Sequence, residues 1–105
     1  MRKPSLMGAL LLAGITTAAQ HPGARGVLPP RGFVPDTITA VRVAEAILAP
    51  IYGEQQIARE KPFKATLNEG TWTVDGTLAA GHAGGVATVK IAKQDGRILF
   101  VWHSK

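Results

Sequence analysis

The chain has no cysteine among its 105 residues and only two serines and three histidines. Without cysteine there is no disulfide framework, no cysteine nucleophile and no lipid-modified cysteine. Ser5 lies in the apolar amino-terminal segment, and Ser104 is the penultimate residue, where no scaffold would hold a base beside it. His21, His82 and His103 stand at no metal-ligand spacing. We therefore predict no nucleophilic catalysis, no metal site and no cofactor.

The acidic residues also give no catalytic pattern. Asp75 is predicted to point outward from a strand, Asp95 lies in a turn, and Glu54, Glu60 and Glu69 lie in loops or at their edges. Each of them is therefore predicted to be an ordinary solvated carboxylate. Hydrolysis by paired acids needs two carboxyl groups that converge in an apolar pocket, and no such pair is predicted. We therefore expect no catalytic residue and no enzyme activity.

The amino terminus has the pattern of a secretory signal peptide. Arg2 and Lys3 precede an apolar or small-residue run from Leu6 to Ala19, and Thr17 and Ala19 fit the −3 and −1 positions of a cleavage site. A membrane-spanning helix needs about 20 apolar residues, more than this run provides. The sequence thus predicts cleavage after Ala19, a periplasmic or secreted protein, and no stable membrane anchor after cleavage.

The charge of the predicted mature chain is mild. Loss of residues 1–19 removes Arg2 and Lys3, so the 12 Lys and Arg fall to 10 against 7 Asp and Glu, and the net charge falls from +5 to +3. The basic residues are scattered rather than arranged in a stripe. This pattern disfavours nucleic acid as a partner.

Residues 20–35 are predicted to be a linker, and residues 36–105 a single domain. The linker contains Pro22, Pro29, Pro30 and Pro35 together with three glycines, which disfavours a helix or strand. The domain begins with possible helix caps at Asp36, Thr37 and Thr39. A domain this small, without disulfides, depends on its apolar core alone for stability.

An amphipathic helix is predicted first, from about Ile38 to Ala49. Apolar residues recur at spacings of three and four, and Arg42 and Glu45 lie on the other side. Pro50 is expected to end or kink this helix. The following segment, 54–61, is compatible with a second helical turn or with an irregular arm.

The remaining residues alternate apolar and polar side chains, which predicts four strands. Short turns at 68–70 and 93–96 connect neighbouring strands, so the strands should form an antiparallel meander. The predicted fold class is α+β, with one amino-terminal helix packed on a four-stranded sheet. We expect Trp72, Val89 and Phe100 to face the helix, and Gly76 to mark a bulge or close packing against the helix.

The last strand is apolar on both sides. Simple alternation places Ile98, Phe100 and Trp102 on one face, and it places Leu99, Val101 and His103 on the other. One helix covers only one face of such a sheet, so either the Pro-rich arm or a protein partner should cover the second.

We accordingly predict a partner-binding surface that includes the outward residues of the last strand. Tyr52, at the end of the helix, could either anchor a partner or cover the helix terminus. The predicted partner-binding residues are Tyr52, Leu99, Val101 and His103.

Five short motifs follow one another in a recognisable order. They are Tyr52-Gly53-Glu54, Pro62-Phe63-Lys64-Ala65, Trp72-Thr73-Val74-Asp75-Gly76-Thr77-Leu78, Gly84-Gly85-Val86-Ala87 and Asp95-Gly96-Arg97-Ile98. With this order and spacing, residues 36–105 resemble the nuclear transport factor 2 fold immunity proteins of bacterial toxin systems. The resemblance implies a cystatin-like or nuclear transport factor 2-like fold and a non-catalytic protein that neutralises a cognate toxin by stoichiometric binding.

The resemblance also marks motif positions in this chain, which are Tyr52, Gly53, Pro62, Trp72, Gly76, Gly84, Gly85 and Gly96. Two other functions remain open. Propeptide-like PepSY domains also combine a helix with an antiparallel sheet, and such a periplasmic module would inhibit or scaffold a peptidase or an envelope complex. The third possibility is a purely structural exported protein.

Overall fold

The computed structural model describes residues 25–105, so the predicted signal peptide and the first part of the predicted linker lie outside the described residues. The elements, in chain order, are α1 Thr37–Tyr52, α2 Glu54–Arg59, β1 Lys64–Asn68, β2 Thr71–Asp75, β3 Ala87–Ala92 and β4 Ile98–His103. The strands form one antiparallel sheet in the order β1-β2-β3-β4. This confirms the predicted fold class. Within residues 25–105, no helix is both long and apolar enough to cross a membrane.

Helix α1 packs on the sheet through one narrow apolar stripe. Its amino terminus is capped by Asp36, whose carboxylate accepts a 2.8 Å hydrogen bond from the Thr39 N–H. The buried stripe consists of Ala40, Ala44 and Leu48, which are four residues apart. The two alanines allow the helix to approach the sheet closely.

The predicted end of α1 near Ala49 is wrong, because the helix continues through Pro50 to Tyr52. A proline there removes only its own N–H donor, and the helix ends two residues later. Gly53, with φ of 97°, ends the helix, and its N–H donates to the Ala49 carbonyl at 2.7 Å. The segment that follows is helical, as one of the two alternatives predicted, and α2 buries Ile57.

The sheet contributes the other side of the core. Trp72 lies opposite Ile91, and Val74 lies opposite Val89, so the four side chains form a patch under α1. The prediction that Trp72 and Val89 face the helix is confirmed. The predicted turn at 68–70 is also confirmed, because Glu69 and Gly70 both have positive φ, which is the conformation of a two-residue hairpin turn.

A β-bulge changes the predicted orientation of β4. Ile98 lies opposite Ile91 but Phe100 lies opposite Lys90, so Leu99 is the extra residue of the bulge. Beyond the bulge the alternation is reversed, and Val101 pairs with Val89 on the helix side.

The prediction that Phe100 faces the helix is therefore wrong, and its side chain is 58% exposed. The predicted common face for Leu99, Val101 and His103 is wrong for the same reason. Val101 and His103 lie on the helix side, whereas Leu99 lies beside Thr73 and Lys90 on the opposite side.

The end of the predicted linker is part of the packed structure. The Phe33 and Val34 N–H groups donate to the carbonyls of Gln94 and Lys93, at 3.0 and 3.1 Å. Val34 is only 2% exposed, and its carbonyl accepts a 2.7 Å hydrogen bond from the Trp72 indole. Packing thus begins before the predicted boundary at Asp36. Residues 25–35 leave Phe100 exposed. This part of the arm therefore does not cover the second face of the sheet, which was one of the two predicted alternatives.

Candidate functional site

The sheet has one side without a helix, which we call the open face. Its side chains come from every second residue of each strand and from the bulge. They are Lys64, Thr66 and Asn68 of β1, Thr71, Thr73 and Asp75 of β2, Thr88, Lys90 and Ala92 of β3, and Leu99, Phe100 and Trp102 of β4. The open face is thus rich in threonine, with its apolar side chains gathered on β4.

The apolar end of the open face is built around an aromatic pair. The rings of Phe100 and Trp102 are tilted by 40°, with their centroids 4.9 Å apart. Lys90 and Thr88 lie opposite them on β3, and the Thr88 hydroxyl donates to the Asp75 carboxylate at 2.6 Å. Exposed aromatic side chains beside polar ones are characteristic of protein interfaces, where they bury a large area with little loss of conformational entropy.

A second cluster, on the helix side, is centred on the carboxylate of Glu60. Glu60 is the residue that follows α2, and it is only 4% exposed. Its Oε1 accepts a hydrogen bond from the Ala87 N–H at 2.7 Å. Its Oε2 accepts from the Gln56 amide at 2.7 Å and from His103 Nε2 at 2.9 Å. Beyond the end of β2, no neighbouring strand among the described residues accepts a hydrogen bond from the Ala87 N–H of β3. The Glu60 carboxylate accepts it instead.

Gly76 explains how this carboxylate fits under the sheet. A Cβ at Gly76 would lie 2.6 Å from Glu60 Oε1 and 3.1 Å from the Phe63 ring. The sequence predicts a bulge or close packing against the helix at Gly76. The structure shows close packing there, but against Glu60, the residue after α2, and Phe63 rather than against α1. The prediction that Glu60 is an ordinary solvated carboxylate is wrong.

His103 is held between two oxygen acceptors. Its Nε2 contacts Glu60 Oε2, and its Nδ1 lies 2.7 Å from the Ser104 carbonyl oxygen. With Glu60 ionised, a hydrogen on each ring nitrogen satisfies both contacts together, which is the charged imidazolium form. The Tyr52 ring lies on the histidine, with a centroid separation of 5.3 Å.

The two partners have opposite pKa shifts. The hydrogen bond to Glu60 raises the pKa of His103, although partial burial opposes the shift. Burial by itself would raise the pKa of Glu60, but the hydrogen bonds from Ala87, Gln56 and His103 outweigh it and lower that pKa. Both shifts favour the ion pair. The pair joins the end of β4 to the end of α2, so its chemical groups are engaged in holding the fold.

The comparisons with known proteins assign the family. Residues 39–105 match the sequence profile described as an NTF2 fold immunity protein, which is more than half of the chain. The chain belongs to this family. Two curated relatives are uncharacterized proteins of Escherichia coli K12. YhhH is 37% identical over 71% of this chain and 60% of its own length, and YbbC is 37% identical over 63% of this chain and 55% of its own length. The chain thus spans about 60% of these relatives. No solved structure matches it.

The immunity-family motif positions have architectural roles in this chain. Trp72 is in the core, Gly53 ends α1, and Gly84 and Gly96 have positive φ. Gly85 packs on the carboxyl-terminal end of the chain, because a Cβ there would lie 2.1 Å from the Ser104 carbonyl carbon. These five positions thus serve the backbone conformation or the core.

The structure divides the four predicted partner-binding residues into two places. Tyr52 and His103 contact each other on the helix side, with Val101 on the same side, whereas Leu99 lies on the open face. Sequence reasoning missed the aromatic pair on the open face because nothing in the sequence of β4, such as a glycine or proline, indicates the bulge. It also missed the contact between Glu60 and His103, which are 43 residues apart.

Proposed function

We propose that this protein is an exported, non-catalytic immunity protein that neutralises a cognate bacterial toxin by stoichiometric binding. The observation that supports the proposal most directly is the exposed Phe100, stacked on the partly buried Trp102, on the open face of a member of the immunity family. Because the buried acid and histidine hold the fold together, a binding role accounts for the molecule better than a catalytic one.

The open face has the composition of a protein-binding surface. Leu99, Phe100 and Trp102 form its apolar centre, and threonines and Lys90 surround that centre. Interfaces commonly combine a few aromatic anchors with a polar rim that excludes water. Lys90 lies directly opposite Phe100, so we infer that the toxin places a carboxylate close to one of its apolar contacts.

Neutralisation provides the direct test. We expect the wild-type protein to protect cells that produce the toxin encoded beside its gene, and Phe100→Glu to abolish that protection, because it places a charge at the centre of the proposed contact. Phe100 is 58% exposed, so the thermal melt measured by circular dichroism should stay near that of the wild type.

Ile38→Glu is the matched control for that substitution. Ile38 is also a large apolar residue, 62% exposed, but it lies on α1, away from the open face. The Ile38→Glu variant should protect toxin-producing cells as well as the wild type does. Equal protection by Phe100→Glu would reject the open face as the binding surface, and no protection by the wild type would reject immunity against that toxin.

Export is the second part of the proposal, and it depends on residues outside the described ones. The basic residues and apolar run of 1–19 support cleavage after Ala19. We expect amino-terminal sequencing of the protein recovered from its host to begin at or within a few residues of Gln20. An intact Met1 on protein recovered from the cytoplasm would contradict this.

A further inference from the structure

Strand β4 is an edge strand with an unusual composition. It lies at the end of the sheet order, and its residues Ile98–His103 contain no lysine, arginine or proline. Natural proteins usually protect an exposed edge with charges, a proline or a covering element, because unpaired backbone groups bind other strands. Among the described residues, β4 has the bulge at Leu99, at the beginning of the strand, and His103, which is paired with Glu60 of its own chain. The part of β4 after the bulge is thus an edge without an unpaired charge.

The hydrogen-bond pattern identifies which backbone groups point outward from this edge. The Ser104 N–H donates to the Val86 carbonyl at 3.0 Å, so Val86 and Ser104 are a hydrogen-bonded pair in the register of β3 and β4. Bonded and non-bonded pairs alternate in an antiparallel sheet. Trp102 is therefore bonded to Thr88, whereas the N–H and C=O groups of Val101 and His103 point away from β3. Within residues 25–105, no other backbone group pairs with them.

We propose that a second copy of this chain pairs with β4, antiparallel and about a twofold axis at Trp102. The two four-stranded sheets would then form one continuous sheet. In this register Val101 of each copy lies opposite His103 of the other, and the outward groups of both strands form four hydrogen bonds. Such an arrangement is self-complementary, as a twofold interface requires.

The bulge favours this register over the neighbouring one. A twofold axis at Val101 would place Leu99, the extra residue of the bulge, opposite His103 of the other copy, and a bulge inside the paired segment disrupts the ladder. With the axis at Trp102, the paired residues Val101–His103 all lie beyond the bulge. His103 remains compatible with the contact, because Glu60 of the same copy balances its charge.

The side chains on the open face also favour this register. The two Trp102 side chains would form the central non-bonded pair, where side chains approach most closely. Each would keep its own Phe100 beside it, 4.9 Å between ring centroids. The two aromatic pairs would thus join across the axis into one cluster. This interface concerns the protein alone and does not depend on the identity, or the existence, of the toxin.

Cysteine cross-linking tests the register, because the chain has no cysteine of its own. In the proposed dimer the Trp102 Cα atoms lie about 4.5 Å apart, within the range that a disulfide spans. We expect Trp102→Cys, in the full protein as its host produces it, to form a covalent dimer under mild oxidation. Phe100→Cys, on the same strand and face, should not, since the two Phe100 positions are about 13 Å apart along the strands. Wild-type protein should show twice the mass of one chain in sedimentation at micromolar concentration.

Val101→Pro tests the backbone contact separately. The Val101 N–H points outward, so a proline there removes no hydrogen bond to β3 but removes two from the dimer. We expect a folded monomer, as judged by circular dichroism. Wild-type protein that remains monomeric would overturn the proposal, and so would equal cross-linking of Trp102→Cys and Phe100→Cys. A dimer that fails to neutralise any toxin would overturn the proposed function and leave this interface intact.

Discussion

Replacing Trp72 by alanine is expected to abolish the stable fold. Trp72 is 4% exposed, packs beside Ile91 in the core, and donates its indole N–H to the Val34 carbonyl. Removing a buried tryptophan costs about 3–5 kcal/mol, and a small domain has only about 5 kcal/mol to lose. The change also leaves the Val34 carbonyl without its donor. The measurement is urea unfolding followed by circular dichroism.

Trp102→Ala is the matched control for this prediction. The two residues are the only tryptophans, and Trp102 is only partly buried, on the open face. Its substitution should cost much less stability than that of Trp72, because less apolar surface returns to water. A cooperative transition of Trp72→Ala at the wild-type midpoint would show that Trp72 is not part of the core.

Replacing Glu60 by alanine is the second change with a large expected effect. It removes the acceptor of the buried Ala87 N–H and the partner of His103 together. An unsatisfied buried donor costs about 1–3 kcal/mol, and a cavity beside Gly76 adds to this. Glu60→Gln is the control, because its amide oxygen can still accept from Ala87 while its charge is lost. We expect Glu60→Ala to lose about 2–4 kcal/mol in urea unfolding, and Glu60→Gln to lose less.

The same substitutions should change how stability depends on pH. The folded-state pKa of His103 is raised, so its contribution is complete below about pH 6.5 and is lost as pH rises through the raised value. The folded-state pKa of Glu60 is lowered, so its contribution is complete above about pH 4.5 and is lost as pH falls through the lowered value. Stability from the pair should therefore be greatest between about pH 4.5 and 6.5.

Glu60→Gln should remove both arms of this profile, namely the loss of stability towards acidic pH and the loss towards alkaline pH. The acidic arm requires the carboxylate, and the alkaline arm requires the imidazolium that the carboxylate stabilises. Asp36 also has a lowered pKa, from its hydrogen bonds with Thr39, and will leave a small residual acidic dependence. An unchanged alkaline arm in Glu60→Gln would mean that His103 does not form the ion pair in solution.

The fold was predictable from the sequence because local patterns determine most of it. The period of the apolar residues gave α1 and four strands, and the turn at 68–70 gave their antiparallel order. The bulge in β4 was not predictable, since Leu99 has no local signal for it and one extra residue exchanges the two faces of the strand. That exchange moved Phe100 and Trp102 from the expected core to the open face.

The Glu60 cluster was not predictable for a different reason. Its members come from the end of α2, the beginning of β3 and the end of β4, and only the completed fold brings them together. Gly76 was the one local indication, because a glycine within a strand pattern implies a close neighbour. It indicated that something packs there, and the structure identifies the neighbour as a buried carboxylate.

The central claim is that this protein neutralises a toxin by binding it through the open face. The most direct measurement is a calorimetric titration of the purified protein with each secreted effector encoded by a neighbouring gene, with Phe100→Glu and Ile38→Glu titrated in parallel. We predict saturation at one toxin for each chain, retained in Ile38→Glu and lost in Phe100→Glu. Absence of binding by the wild type, or inactivation of the toxin by far less than an equal amount of protein, would contradict it.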